Sequence, residues 1–452
     1  MGHRVGHRAG ADCAAGLGAL RIALRTRLDR RAATHRYKSR RGLPDRCRLP
    51  PISGTGQDCA SSVGGGARGR CPVRAQAQRA ATGAERSCAV SQFAIMGQGT
   101  ALPEHSIGID ESLVYAAKAF EATGEQERQL KLLYKMTGVQ RRHTCVLCAP
   151  EGQPDRQPFF PEPNGAMRQG PSIRARMEKY ENDSLPLAVE ASRKALDQSG
   201  VDPLAITHLV TVSCSGFAAP GVDIGLIKTL GLPTTCQRTH VGFMGCHGAL
   251  NGLRVARGFV ESDPSARVLL CAVELCSLHY HYGWNPQQIV ANALFADGSA
   301  AVVGGAANGN DDAWRIGGTG SCLVPDSEDA MTWRIGNNGF IMSLSSRVPE
   351  LIGSHLRPWM ESWLKQQRLA LSDVKSWAVH PGGPRILGSV VKALDLAKDA
   401  VDVSREVLRD HGNMSSPTIL FILKRLRDAN APRPCVALGF GPGLVAEASL
   451  FV

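Results

Sequence analysis

The 452-residue chain has no run approaching the roughly 18 consecutive apolar residues that cross a bilayer, and no compact apolar segment ahead of a small-residue cleavage site near its start. Neither a membrane span nor a secretory leader is expected, so the protein reads as soluble and cytoplasmic. Charge is also scarce, at 20% of residues against 43% hydrophobic, which excludes a disordered chain and leaves enough apolar material for one large core or two ordinary ones.

The formal charge of +12 is unevenly placed. Of 52 Lys and Arg and 40 Asp and Glu, residues 1–90 hold 18 and 5, so the rest of the chain carries 34 against 35 and is close to neutral. A body without a basic excess lacks the electrostatic footprint of a nucleic-acid binder. The 14 cysteines do not suggest a disulfide framework either: five lie in the basic head and most of the other nine sit inside apolar runs, as small buried hydrophobes do. Cys145-Val-Leu-Cys148 is a lone pair of cysteines without partners at metal-ligand spacing, so no metal and no cofactor is called for.

Residues 1–90 are rich in Arg, Ala and Gly and show little apolar periodicity. They read as a basic low-complexity head, either disordered, a transit peptide or upstream sequence from a misplaced start. A chain beginning near Ser91 is expected to fold and function.

The texture then changes. Phe93–Met96 is a short apolar segment and one long helix is expected over about 111–136. Strands are expected at His208–Cys214, Arg267–Glu274, Ala300–Gly304, Ser376–His380 and Pro434–Gly439, and helices near 185–198, 223–230, 248–261, 351–367, 384–394 and 417–429. Alternation of this kind predicts an α/β protein whose helices cover its sheets.

Three residues could do chemistry together. Cys246 follows a small-residue turn and opens a helix, where free backbone N–H groups favour an anionic sulfur. His380 ends a strand and precedes the rigid Pro381-Gly-Gly-Pro384, while Asn413 lies in His411-Gly-Asn-Met-Ser-Ser416 before another helix. Singly, each is as well explained by packing or capping. Jointly they supply a nucleophile, a base and an amide donor.

Gly245-Cys246, His380-Pro-Gly-Gly-Pro384, Gly412-Asn413-Met-Ser-Ser416, Gly439-Phe-Gly-Pro-Gly443 and Ala293-Leu-Phe295-Ala-Asp-Gly298 resemble the signatures of the type III polyketide synthases, the chalcone and stilbene synthase family, over about residues 92–452. The resemblance implies a thiolase fold: five layers, α-β-α-β-α, in two similar halves (91–310 with the Cys, 311–452 with the His and Asn), assembled as a homodimer. It implies an acyltransferase using an acyl-CoA starter and malonyl-CoA. Cys246 would carry the growing chain as a thioester, and His380 and Asn413 would hold the enolate left by decarboxylation. Phe295 matches the family's gate. Cys214, Cys276, His279, Met342, Ser415, Gly382 and the Gly439, Phe440, Gly441, Pro442, Gly443 loop would shape the substrate cavity, and His380 would help to keep Cys246 ionised.

Some positions depart from plant chalcone synthases. Cys214, Cys276 and His279 stand where those enzymes have threonines, Ala219 where a methionine reaches across the dimer, and Met342 where a second gate phenylalanine lies. These changes imply a bacterial member with an apolar pocket that prefers medium or long aliphatic starters and gives pyrone or resorcinol-type products. The family's basic residues for the CoA phosphates do not align one to one; Lys131, Lys135, Arg141 and Arg142 lie close by, either for that role or as a solvated helix face. Rival readings are β-ketoacyl-carrier-protein synthase III, which has His-Gln-Ala-Asn where this chain has His380-Pro-Gly-Gly, hydroxymethylglutaryl-CoA synthase, and an inactive thiolase-fold scaffold.

Overall fold

The computed structural model describes residues 92–164, 168–307, 309 and 312–452; the expected head, residues 1–90, lies outside them. The first part of the chain runs β1 (Phe93–Ala101), β2 (Ser106–Gly108), α1 (Ile109–Ala119), α2 (Glu125–Met136), β3 (Arg141–His143), α3 (Ile173–Ser199), β4 (His208–Ser213) and α4 (Val222–Leu230). It continues through β5 (Gln237–Gly242), α5 (Gly248–Ser262), β6 (Arg267–Leu275), α6 (Pro286–Leu294) and β7 (Asp297–Ala306). The remainder is β8 (Ile316–Leu323), β9 (Met331–Gly336), β10 (Gly339–Leu344), α7 (Val348–Gln366), β11 (Ser376–Val379), α8 (Pro384–Leu394), α9 (Asp402–His411), α10 (Pro417–Asp428), β12 (Cys435–Gly441) and β13 (Val445–Phe451).

Two sheets dominate. A five-stranded sheet has the order β1-β7-β6-β4-β5, with β4 parallel to β5 and β6 and with β7 antiparallel to β6 and β1. A four-stranded sheet has the order β11-β12-β13-β8. β4, β7 and β12 are buried at every residue, which is why their sequences are apolar runs instead of alternating ones.

The helices sort by which face they cover. α5 packs on β4 and β6 of one sheet and on β12 and β13 of the other, and α10 likewise touches β7 and β11. Both therefore lie between the sheets, in a core that joins Val212, Leu253, Leu270, Leu420 and Ala437. Such a helix must be apolar nearly all round, and Pro417–Leu423 is buried without a break. α3 and α4 cover the outer face of the first sheet, and α7 and α8 build a separate core against the second.

Several elements differ from the sequence reading. The helix expected over 111–136 is two helices, interrupted at Phe120–Gly124. The first strand continues past Met96 to Ala101, because Gly97 and Gly99 let the α3 backbone approach: a Cβ on Gly99 would stand 2.2 Å from Ala191 O. The β9–β10 hairpin, with Trp333 and Met342 directly opposed, was not foreseen. Among the described residues no helix is long and apolar enough to cross a membrane, and no group of His, Cys, Asp and Glu has the makings of a metal site.

Candidate active site

Cys246 sits in the single turn of tight helix Gly245–His247 that leads into α5. Asn413 lies between α9 and α10, and its amide Nδ2 points at Cys246 Sγ from 4.0 Å. The orientation is forced: Asn413 Oδ1 accepts from Ser415 N–H at 2.8 Å, so the amide's donor end is the one left facing the sulfur. His380 follows β11, anchored by its own N–H to Leu438 O at 2.8 Å. Its ring is 1% exposed, and both ring nitrogens lack hydrogen-bond partners among the described residues. Buried polar groups are normally satisfied, so an unspent imidazole facing a cavity suggests a missing ligand.

Cys246, His380 and Asn413 line one small cavity together with Gly382, Met342 and Phe440. A second small cavity that also touches Cys246 is walled by Cys214, Cys276, Phe295, Trp333, Ser415 and Pro442, again with Met342. A third, of about 570 Å³, begins at Cys276, Phe295, Trp333 and Met342 and includes His279.

Burial dominates the electrostatics. The Cys246 thiol is pushed up to about 11, chiefly by desolvation, although its contacts with Ser415 and Asn413 act the other way. The His380 imidazole is pushed down to about 3 by the same cause, with His247 adding to it. Both shifts run against the expected imidazolium–thiolate pair: burial disfavours either charge and opposes the helix-start effect that would favour an anionic sulfur.

Residues 80–308 match the model of the chalcone and stilbene synthase N-terminal domain, and residues 318–452 match that of the C-terminal domain. The chain belongs to the chalcone and stilbene synthase family. It is thus a type III polyketide synthase, an acyltransferase whose family works on acyl-CoA substrates. It is 31% identical over 365 residues to the alpha-pyrone synthesis polyketide synthase-like Pks18 of Mycobacterium tuberculosis, covering 79% of this chain and 90% of that protein. It is 33% identical over 354 residues to the 1,3,6,8-tetrahydroxynaphthalene synthase of Streptomyces peucetius subsp. caesius, covering 77% and 90%. The mixed α/β architecture matches the crystal structure of PKS-I from the brown alga Ectocarpus siliculosus with a TM-score of 0.75 at 30% identity, covering 80% of this chain and 98% of that one.

Not every expected pocket residue of the synthase reaches the cavity. Phe440 and Pro442 do, but Gly439 and Gly441 face His247 instead, and Gly443 N–H is spent on Met331 O at 3.0 Å. His279 is a wall: Nε2 meets Ser215 O at 2.6 Å, Nδ1 accepts Phe340 N–H at 2.9 Å, and the ring stacks on Phe340. Ala219 is exposed and lines none of these cavities. Of the basic candidates, Lys131 and Lys135 are exposed, Arg141 pairs with Glu151, and Arg142 turns inward to the carbonyls of Asn292 and Phe295.

Two acidic residues were overlooked. Glu274, fully buried, accepts from Cys214 N–H (2.9 Å), Ser215 N–H (2.9 Å), Ser215 Oγ (2.6 Å) and Ser416 Oγ (2.6 Å), tying the Cys214 loop to the segment that carries Asn413 and Ser415. Asp297 similarly takes Ser277 N–H and Cys145 N–H. The signal was available: a lone carboxylate closing the apolar run Arg267–Leu275 must be paired inside the protein.

Proposed function

We propose that the synthase extends an acyl starter held as a thioester on Cys246, with His380 and Asn413 as the donors that stabilise the malonyl-derived enolate. The observation that carries this reading is the shared cavity in which Asn413 Nδ2 faces Cys246 Sγ and His380 keeps both ring nitrogens unspent.

Burial raises the Cys246 thiol, and the loading step accordingly includes a base. His380 accepts the thiol proton as sulfur attacks the starter thioester; the bond from the carbonyl carbon to CoA sulfur breaks, and the proton passes to the departing CoA thiolate. His380 is then neutral again and can donate one N–H. Malonyl-CoA loses carbon dioxide, leaving the electron pair on the thioester enolate, whose oxygen is met by His380 and Asn413 Nδ2. Fixed donors in a water-poor site supply several kcal/mol there. The enolate carbon attacks the Cys246 thioester and the carbon–sulfur bond to Cys246 breaks, giving a β-ketoacyl-CoA and the free Cys246 sulfur; the extended chain then returns to that sulfur with release of CoA for another round, or cyclises to a pyrone or resorcinol/phloroglucinol-type product.

The same reading extends to the architecture: a thiolase fold of five layers in two similar halves, 91–310 and 311–452, acting in the cytoplasm as a homodimer. The helices α5 and α10 between two sheets, each covered outside by further helices, support the layers. A second copy is the fitting partner for β5, the edge strand that among the described residues pairs only with β4, beside which Phe217, Phe243 and Met244 are exposed.

The test is direct. Intact-mass analysis after exposure to an acyl-CoA should show one acyl adduct, lost in Cys246→Ala; an adduct that persists in that variant refutes the assignment. Sedimentation of the full chain should give a dimer.

A further inference from the structure

Asn413 stands in the turn 412–416 between α9 and α10, and two side chains staple the helices on either side of it. His411, the last residue of α9, is half-buried and accepts a hydrogen bond at Nε2 from Arg425 Nη2 on α10 at 3.0 Å. The direction follows from the chemistry: a guanidinium has donors and no acceptor, so Nε2 supplies the lone pair, the ring proton lies on Nδ1 and the imidazole is neutral. Nδ1 has no partner among the described residues, which leaves Arg425 as the polar anchor of the ring. Phe421, also on α10, lies against the ring at 5.6 Å between centroids, and His143 of β3 at 6.4 Å.

Arg425 is itself held. Its Nη1 and Nη2 reach Asp410 Oδ2 at 3.3 and 3.2 Å, and Glu406 Oε2 lies 3.7 Å from Nη1, so carboxylates of α9 fix the fork that meets His411. A cation at this place also complements the C-terminal end of α9. The charged and titratable groups around His411 are thus Arg425 and Asp410, with Glu406 behind Arg425 and the second imidazole of His143. Burial, and after it Arg425, push the His411 imidazole down to about 4. A proton on Nε2 would remove the acceptor and set two cations against each other, so the staple belongs to the neutral ring.

The turn between the helices has little slack. A Cβ on Gly412 would stand 3.0 Å from Leu294 O, and Ser416 Oγ is tied to Glu274 at 2.6 Å, so a shift of α9 against α10 is passed on to residues 413–415 instead of being absorbed. A donor to a developing oxyanion tolerates such a shift poorly, because a misplacement of about 1 Å is costly. We infer that His411 and Arg425 are positioning residues for the enolate: their contact fixes α9 against α10 and thereby aims the Asn413 amide at the malonyl thioester oxygen. The inference rests on the reading of Asn413 as an enolate donor. Neither residue lines the small cavities at Cys246, so both act through Asn413 alone. Their influence falls on decarboxylation, which uses the Asn413 amide, and spares the loading of Cys246, for which His380 is the base.

The test uses the full chain and compares two reactions of the same enzyme: release of acetyl-CoA from malonyl-CoA, and acylation of Cys246 by hexanoyl-CoA followed by intact mass. His411→Ala and Arg425→Met should each lower kcat for decarboxylation roughly tenfold while the acylation rate changes less than about twofold. His411→Gln, whose amide oxygen can accept from Arg425, should keep most of the wild-type rate. In Asn413→Ala, whose own loss is larger, adding His411→Ala should cost nothing further. A loss shared equally by the two reactions, a loss that adds in full to that of Asn413→Ala, or an unchanged decarboxylation rate overturns the inference. If His411→Ala does not fold, Arg425→Met and His411→Gln decide by the same ratio of rates. An undiminished decarboxylation rate in Asn413→Ala would instead overturn the reading of the site, and the positioning role with it.

Discussion

Phe295 and Asn413 are joined backbone to backbone: Asn413 N–H donates to Leu294 O and Ala296 N–H donates to Asn413 O, both at 2.9 Å, as a parallel bridge. The wall of the cavity and the amide donor are thus set by one local structure that straddles the two family domains. Asn413→Ala and His380→Ala, which leave this backbone pairing in place, are expected to lower malonyl-CoA decarboxylation by roughly two orders of magnitude each, the usual cost of an oxyanion donor. Acetyl-CoA release, with circular dichroism to verify the fold, measures it. A loss below tenfold would show that these side chains are not the enolate's donors.

Burial that raises the Cys246 thiol and lowers the His380 imidazole makes a pH prediction opposite to that of an ion pair. With the thiol raised to about 11, alkylation of Cys246 by iodoacetamide should keep accelerating through pH 9 without a plateau. A plateau near neutrality would reveal a thiolate–imidazolium pair. His380 and His279 are both pushed down to about 3 by burial, from an ordinary value of 6.5. Between those values the unfolded chain binds more protons than the folded one, so their neutral burial costs nothing above pH 6.5 and destabilises progressively as pH falls below it. The slope is about 1.4 kcal/mol per pH unit for each histidine, read as a falling melting temperature from pH 7 to 5.

His247, next to the nucleophile, explains one glycine of the Gly439–Gly443 loop. Its ring is 2% exposed, held by Nδ1 to Asn251 Oδ1 at 2.8 Å, and fills the space a side chain at Gly441 would need: a Cβ there would stand 2.4 Å from His247 Nε2. Gly441→Ala should therefore cost about 1–3 kcal/mol, and adding His247→Ala should recover part of that loss. Additive effects in the double variant, measured by urea unfolding, would contradict the steric account.

What the sequence disclosed was local pattern. The apolar runs at Arg267–Leu275 and Cys435–Gly441 could be read as buried strands because both faces are covered, and Cys246, His380 and Asn413 because their loops carry motifs. Desolvation was not legible: the helix start at Cys246 argued for a thiolate, whereas the opposing burial depends on how tightly the whole core closes over it. Trp333 and the cavity of about 570 Å³ were also missed. The Met331–Gly336 strand has no strong alternation, and its contribution to the chamber comes from pairing with β10 across a turn.

The two substitutions that motivated an aliphatic starter now separate. Met342 lines all three cavities around and beyond Cys246, so Met342→Phe should narrow the junction among them and shift the acyl-chain-length optimum of kcat/KM toward shorter chains. Ala219 is exposed and lines none of them, so within one chain Ala219→Met has no route to the starter's acyl tail. It lies near the exposed Phe217, on the surface where a second copy is proposed. A length profile moved by Met342→Phe alone confines selectivity to one subunit. A profile moved by Ala219→Met as well would require that side chain to reach the partner's chamber, and diluting the enzyme below its dimer dissociation constant should then abolish the effect. A profile that neither variant changes would remove Met342 as the selectivity residue, even with the enzyme class unaltered.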